Sequence, residues 1–175
     1  TQNEKLTYTL REAREHIATL REEVDKLTQP PSAYGTLLGR KPEPKTCRAL
    51  ILAPTRELAT QIAENIDAYA VGTPIRQFRV VGGASINVQV MRMERGVDVL
   101  IATPGRLIDL IERGAVDLSQ TQYLVLDEAD RMLDMGFIHA LRRIAKMLPR
   151  ERQTLLFSAT MPNLMEELAE SYLTD

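Results

Sequence analysis

From Cys47 onward the chain alternates short, almost wholly apolar runs with longer amphipathic ones, and this alternation constrains the fold more than any other feature. The apolar runs at 49–53, 78–81, 97–102, 123–126 and 154–157 are rich in β-branched and large aliphatic residues and are bounded by turn formers. Helical spacing fills the stretches between them, including 57–70, 107–113, 138–148 and 164–173. A strand that is apolar on both sides has to be buried on both sides, and strand–helix alternation makes successive strands parallel. The pattern predicts an α/β domain over 47–175, a parallel sheet sandwiched by helices. Chemistry in such a sheet gathers at the C-terminal ends of the strands.

The front of the chain follows another rule. Asn3, Leu10, Ile17 and Val24 share one heptad position, and Leu6, Ala13, Leu20 and Leu27 share the other. This 3.5-residue period predicts a coiled-coil helix over 1–28, able to form a parallel homodimer with Asn3 setting register. Glu22 and Lys26, and Arg11 and Glu15, add i,i+4 pairs. A single amphipathic helix packing on the rest of the chain accounts for the same spacing. Pro30 and Pro31 end the helix, and 29–46 reads as a linker rich in Pro, Gly and charge, with a short extended piece at 34–38.

Composition narrows the function. With 44% apolar and 26% charged residues the chain is an ordinary globular one, and its net charge of −2 gives no global attraction to nucleic acid. Binding of that kind has to come from a local face. Cys47, the only cysteine, excludes an internal disulfide and points to a reducing compartment. His16 and His139 lie far apart without ligand spacing, which argues against a metal cage or a Ser-His-Asp site. With no signal peptide and no apolar run of spanning length, the reading is a cytoplasmic protein with no membrane contact. The start at Thr1 reads as a piece of something longer.

Each predicted strand ends in a polar motif. Pro54, Thr55 and Arg56 open PTREL after the first, and Gly82-Gly83 follows the second. TPGR, with Thr103, Gly105 and Arg106, follows the third, and SAT, with Ser158 and Thr160, follows the last. Hydroxyls, backbone amides at helix starts and an arginine suit a sugar–phosphate chain. After the fourth strand come Asp127, Glu128 and Asp130. One carboxylate beside bound phosphates is enough for magnesium, and its neighbour can activate water. Singly, each motif has a plainer account: turn chemistry for the glycines, helix capping or solvation for the acids. Their order, all at strand ends, makes that account poor for the set.

That ordered set resembles the first RecA-like domain of DEAD-box RNA helicases over residues 47–175, with DEAD itself at Asp127, Glu128, Ala129 and Asp130. The run RMLDMGF after it is similar to the bacterial subgroup that includes RhlE-type helicases. The resemblance implies that Asp127 binds magnesium through water and that Glu128 activates the water that hydrolyses ATP. It implies that Asp130 bonds toward Ser158 and Thr160, linking the nucleotide site to duplex separation. Pro54, Thr55, Arg56, Gly82, Gly83, Thr103, Gly105 and Arg106 would line the path of single-stranded or duplex RNA, through backbone contacts without sequence preference.

The family's phosphate loop, G-x-x-x-x-G-K-[ST], does not occur in the chain. GTLLGRK at 35–41 has its glycines four apart with arginine after the second, and no lysine lies between Lys45 and Lys146. The adenine-reading segment and the second RecA-like domain are missing as well. The expectation is therefore a helicase fragment, a partial RecA-like sheet that does not hydrolyse ATP alone. The strand carrying SAT is expected to have an open edge, covered by 34–38 or by a second chain. Residues 10–38 are similar to the N-terminal coiled coil of bacterial proteasome-associated AAA ATPases, which captures a disordered protein tag. That implies a chimera, and it leaves an alternative: a coiled-coil oligomerisation and tag-binding module fused to a non-catalytic α/β scaffold.

Overall fold

The computed structural model describes residues 16–18, 41–161 and 163–173. The chain divides into two compact units, Thr1–Gly39 and Arg40–Asp175. In the first unit the described residues, 16–18, are helical and exposed. The heptad seam, its dimer and the piece at 34–38 otherwise lie outside the described residues.

In the second unit β1 (Cys47–Leu52) leads to α1 (Arg56–Tyr69), β2 (Gln77–Val80), α2 (Ile86–Met93) and β3 (Val97–Ala102). These are followed by α3 (Pro104–Glu112), β4 (Tyr123–Leu126), α4 (Ala129–Asp134), α5 (Ile138–Met147), β5 (Gln153–Leu156) and α6 (Asn163–Tyr172). The strands form one parallel sheet in the order β2-β3-β1-β4-β5. This is the expected class, a partial RecA-like α/β fold. All five expected strands are present with ends shifted by at most two residues, as when 49–53 becomes Cys47–Leu52.

Period-two alternation within the strands separates two cores. Leu50, Leu52, Leu100, Leu124 and Leu126 point to one face and pack with Leu107, Met132, Leu141, Met165 and Tyr172 from the helices. Ile51, Val99 and Ile101 point to the other and pack with Ala59 and Ala63 of α1. Interior β3 is buried along its whole length, which is why its sequence, VDVLIA, is nearly all apolar. Its one charge is accommodated: Asp98 accepts the Arg76 amide at 2.9 Å and faces Arg48 at 3.9 Å. Gly96, just before β3, has φ +64°, and a Cβ there would collide with the Glu43 carbonyl. Only glycine fits that turn.

At the far side of the sheet β5 pairs with β4 alone among the described residues. Its residues alternate between exposed and half-buried. Among the described residues nothing else pairs with that edge, and its expected cover at 34–38 lies outside them.

Candidate nucleic-acid and nucleotide sites

Thr55 ends the first strand connection in extended backbone, and its hydroxyl accepts the Leu58 amide at 3.2 Å, capping α1. Capping uses the oxygen as acceptor, so the O–H remains able to donate outward. Arg56 follows on the first turn, exposed. Its guanidinium lies directly over Gly83, which adopts φ +77°. A side chain on Gly83 would displace it, so the two motifs form one surface. Pro54, Thr55, Arg56, Gly82, Gly83 and Thr103 line a recess of about 490 Å³, completed by Glu57, Met135 and Phe137. A neighbouring recess of about 300 Å³ on the other side of Arg56 includes Thr60 and Arg79, whose guanidinium donates to the Thr60 hydroxyl at 2.5 Å.

TPGR is built differently from the sequence reading. Pro104 occupies the first turn of α3, where its missing N–H costs nothing, so the helix starts at Pro104 rather than at 107. Arg106 does not line either recess. It donates to the Ala84 carbonyl at 2.9 Å and to Gln89 Oε1 at 3.2 Å, and it faces Asp109 at 3.8 Å. Gln89 in turn donates to the Val81 carbonyl at 3.0 Å. Arg106 thus braces the Gly82–Gly83 turn from beneath. Gly105 lies against Phe137, whose ring would be 3.6 Å from a Cβ placed there.

The acids sit over β4 and β5. Asp127 Oδ1 accepts the Glu128 amide at 2.9 Å, and its other oxygen has no hydrogen-bond partner among the described residues. Glu128 adopts φ 48°, ψ 50°, left-handed backbone that a side chain makes costly, and starts α4 from there. Such strain, about 1–2 kcal/mol, persists only where surrounding bonds impose it. Here the Ala129 amide donates to the Phe157 carbonyl at 3.0 Å, and the Asp127 amide to Leu52 at 3.0 Å. The Glu128 carboxylate meets Arg131 at 3.3 Å.

Asp130, Ser158 and Thr160 come together as one latch. Asp130 Oδ2 accepts the Thr160 hydroxyl at 3.0 Å and its amide at 3.2 Å. The Asp130 amide donates to Ser158 Oγ at 3.3 Å, and that hydroxyl donates to the Thr160 carbonyl at 2.7 Å. Partial desolvation pushes the Asp130 carboxyl up, but the Thr160 hydroxyl, the Arg131 and Thr160 amides and Ser158 together outweigh it. The carboxyl is held below its ordinary value of 3.8.

Among the described residues no group of three His, Cys, Asp or Glu could hold a metal, and no helix is long and apolar enough to cross a membrane. Cys47 is fully buried, 3.6 Å from the Thr121 hydroxyl. Burial, opposed by that hydrogen bond and assisted by Asp117, pushes its thiol up to about 12. It stays protonated and unreactive.

These strand-end motifs can be set beside known proteins. A family model described as DEAD/DEAH box helicase matches residues 18–168. The chain belongs to that family. It is 46% identical over 154 residues to the probable ATP-dependent RNA helicase ddx3 of Dictyostelium discoideum, covering 86% of this chain and 21% of that protein. It is 52% identical over 126 residues to ddx17, another probable ATP-dependent RNA helicase of that organism, covering 72% of this chain and 16% of the relative. A crystal structure of a DEAD box protein from the hyperthermophile Methanococcus jannaschii superposes with TM-score 0.70 at 38% identity, over 74% of this chain and 36% of that one. The chain thus spans about a fifth of the length of the curated relatives it matches. The family match begins at residue 18, inside the segment read from its heptads as coiled coil.

Sequence reasoning missed one feature of this DEAD-box domain. Met135 and Phe137 were quoted within RMLDMGF but given no place in the recess. A glycine two or three residues past a short helix, as at Gly136 with φ +82°, was the available sign that the chain turns back there.

Proposed function

We propose that this chain is the RNA-backbone-binding part of a cytoplasmic, ATP-dependent DEAD-box RNA helicase of RhlE type, and that by itself it does not turn over ATP. The observation that carries the first half is the single recess formed by Thr55, Arg56, Gly82, Gly83 and Thr103 at the ends of β1, β2 and β3. It brings a cation, hydroxyl donors and glycine backbone together, beside the Glu57 carboxylate, and the first three are groups that grip phosphate and 2′-hydroxyl without reading a base. Arg106 supports this grip through its bonds to the Ala84 carbonyl and to Gln89.

The second half rests on what the other end offers to magnesium and ATP. Asp127 supplies one free carboxylate oxygen, which fits an ion that keeps its waters and shares phosphate oxygens, and Glu128 beside it fits the orientation of an attacking water. Phosphate itself is not provided for. No G-x-x-x-x-G-K-[ST] turn occurs in these 175 residues, and no lysine between Lys45 and Lys146. The residues present do not fit a bound triphosphate.

Fluorescence anisotropy with a labelled single-stranded RNA tests the RNA reading. Affinity should fall as salt rises, and Arg56→Ala should weaken binding to every sequence alike while reducing the salt slope by about 0.7. Affinity indifferent to both salt and Arg56→Ala would remove the RNA reading.

A further inference from the structure

The turn that carries Gly82 and Gly83 has no backbone hydrogen bond of its own. Among the described residues, the amides of Gly82, Gly83, Ala84 and Ser85 donate to no backbone carbonyl, and the Val81 and Ala84 carbonyls accept from no backbone amide. Two glycines in such a stretch leave the chain many conformations to sample. Side chains hold it instead.

Gln89, on α2, is only 3% exposed. Its Nε2 donates to the Val81 carbonyl at 3.0 Å, on one flank of the turn. Its Oε1 accepts from Arg106 Nη1 at 3.2 Å, and the same nitrogen donates to the Ala84 carbonyl, on the other flank, at 2.9 Å. A carbonyl only accepts and a guanidinium only donates, so neither partner permits the flipped carboxamide. The three bonds close a clasp around Gly82–Gly83 with Gln89 at its hub. Its neighbours Ile86, Val90 and Met93 pack into the apolar core, where a carboxamide is costly unless both its ends are paired. Both are. An apolar residue in place of Gln89 would leave the Val81 carbonyl and one Arg106 donor without these partners.

We infer that Gln89 is a positioning residue for RNA: it holds Gly82–Gly83 in one conformation, directly at Val81 and through Arg106 at Ala84. The inference rests on the RNA reading above and deepens it, because Gln89 belongs to none of the strand-end motifs. A preordered turn raises affinity by lowering the ordering cost of binding. It adds no phosphate contact, so it leaves the salt dependence alone.

Two readouts on the full chain test the clasp: binding of a labelled ten-residue oligouridylate from low to high salt, and the amide order parameters of Gly82 and Gly83. Gln89→Met, close in length but without hydrogen-bonding ends, should weaken binding by about threefold to tenfold at every salt concentration with an unchanged slope. The two order parameters should fall from the rigid range, about 0.85, toward about 0.6. In an Arg106→Ala background the same change should add little, because the clasp is already broken, whereas in an Arg56→Ala background its full effect should persist. Gln89→Glu, which keeps the acceptor for Arg106 and loses the donor to Val81, should show smaller losses in both readouts. If the methionine variant does not fold, Gln89→Glu decides: affinity and order parameters should fall together. Weaker binding with both glycines as rigid as in the parent, or parental binding with both loosened, overturns the role of Gln89 and leaves the RNA reading standing on Arg56. An equal loss in the Arg106→Ala background also overturns it, since a general loss of stability would act there too. If the parent chain shows no salt-dependent RNA binding, the RNA reading fails and takes the role of Gln89 with it.

Discussion

The two halves of one sheet face are built to different standards. Over β1, β2 and β3, α1 covers Val99 and Ile101, with Ile101 wholly buried, and half-buried Ile51 packs beside them. Over β4 and β5, in register with Ile51, lie Val125 and Leu155. Leu155 is 37% exposed and Phe157, just beyond the strand, 53%. The polar groups at the strand ends differ accordingly. Those above the sealed half share a recess braced by Arg106 and Gln89. Those above the open half depend on a strained glutamate and on the latch between Asp130, Ser158 and Thr160. Among the described residues, one half of the functional rim is thus packed beneath a helix and the other half is less covered.

The largest expected effect tests the sealed half against the open one. Ile101→Ala should destabilise the fold by about 2–5 kcal/mol through lost burial and a residual cavity. Leu155→Ala, on the same face, should change stability by no more than about 1 kcal/mol, since the side chain already meets water. Urea unfolding compares them, and equal losses would mean that something seals β5 as α1 seals β3. Hydrogen exchange sharpens the same point: amides of β5 should exchange well before those of β1.

Gly83→Ala comes next. The left-handed backbone should cost about 1–2 kcal/mol, and the added Cβ should displace the Arg56 guanidinium. RNA affinity should consequently fall more than stability alone explains; unchanged affinity would separate Arg56 from the recess. Glu128→Gly should move the other way, stabilising the fold by up to about 1 kcal/mol as left-handed strain is relieved. A loss of stability there would mean that the pairing of Glu128 with Arg131 outweighs the backbone cost.

The smallest effect is the pH response of the latch. Asp130 has its folded-state value depressed, so its contribution is present in full above the ordinary 3.8 and is lost as pH falls through the lower folded value. The Thr160 amide resonance should titrate below 3.8 and not above it. A midpoint above that value would mean that desolvation, not hydrogen bonding, governs this carboxylate.

The strands were legible because residues buried on both faces have to be apolar, and VDVLIA states this almost without interruption. α2 was not. Ile86, Val88 and Val90 alternate like a strand, but Ile86, Gln89, Val90 and Met93 recur at helical spacing and turn inward. Buried Gln89 broke the apolar pattern, and its partners, Val81 and Arg106, are distant in sequence. α4 was hidden by brevity: six residues, entered through a left-handed glutamate that no propensity anticipates. At the site, the motifs announced which residues gather at the rim. Which of them gather in one recess and which bond to each other depends on contacts across the sheet, as when Met135 joins the recess while Arg106 bonds Ala84 and Gln89.

The central claim is that the backbone-gripping half of the rim is complete while the phosphate-hydrolysing half is not. RNA-stimulated ATP hydrolysis by the purified chain, with Glu128→Gln alongside, tests it most directly. The account predicts RNA binding with no turnover above that variant. Turnover abolished by Glu128→Gln would contradict it, because the chain would then be holding triphosphate without the loop that grips it.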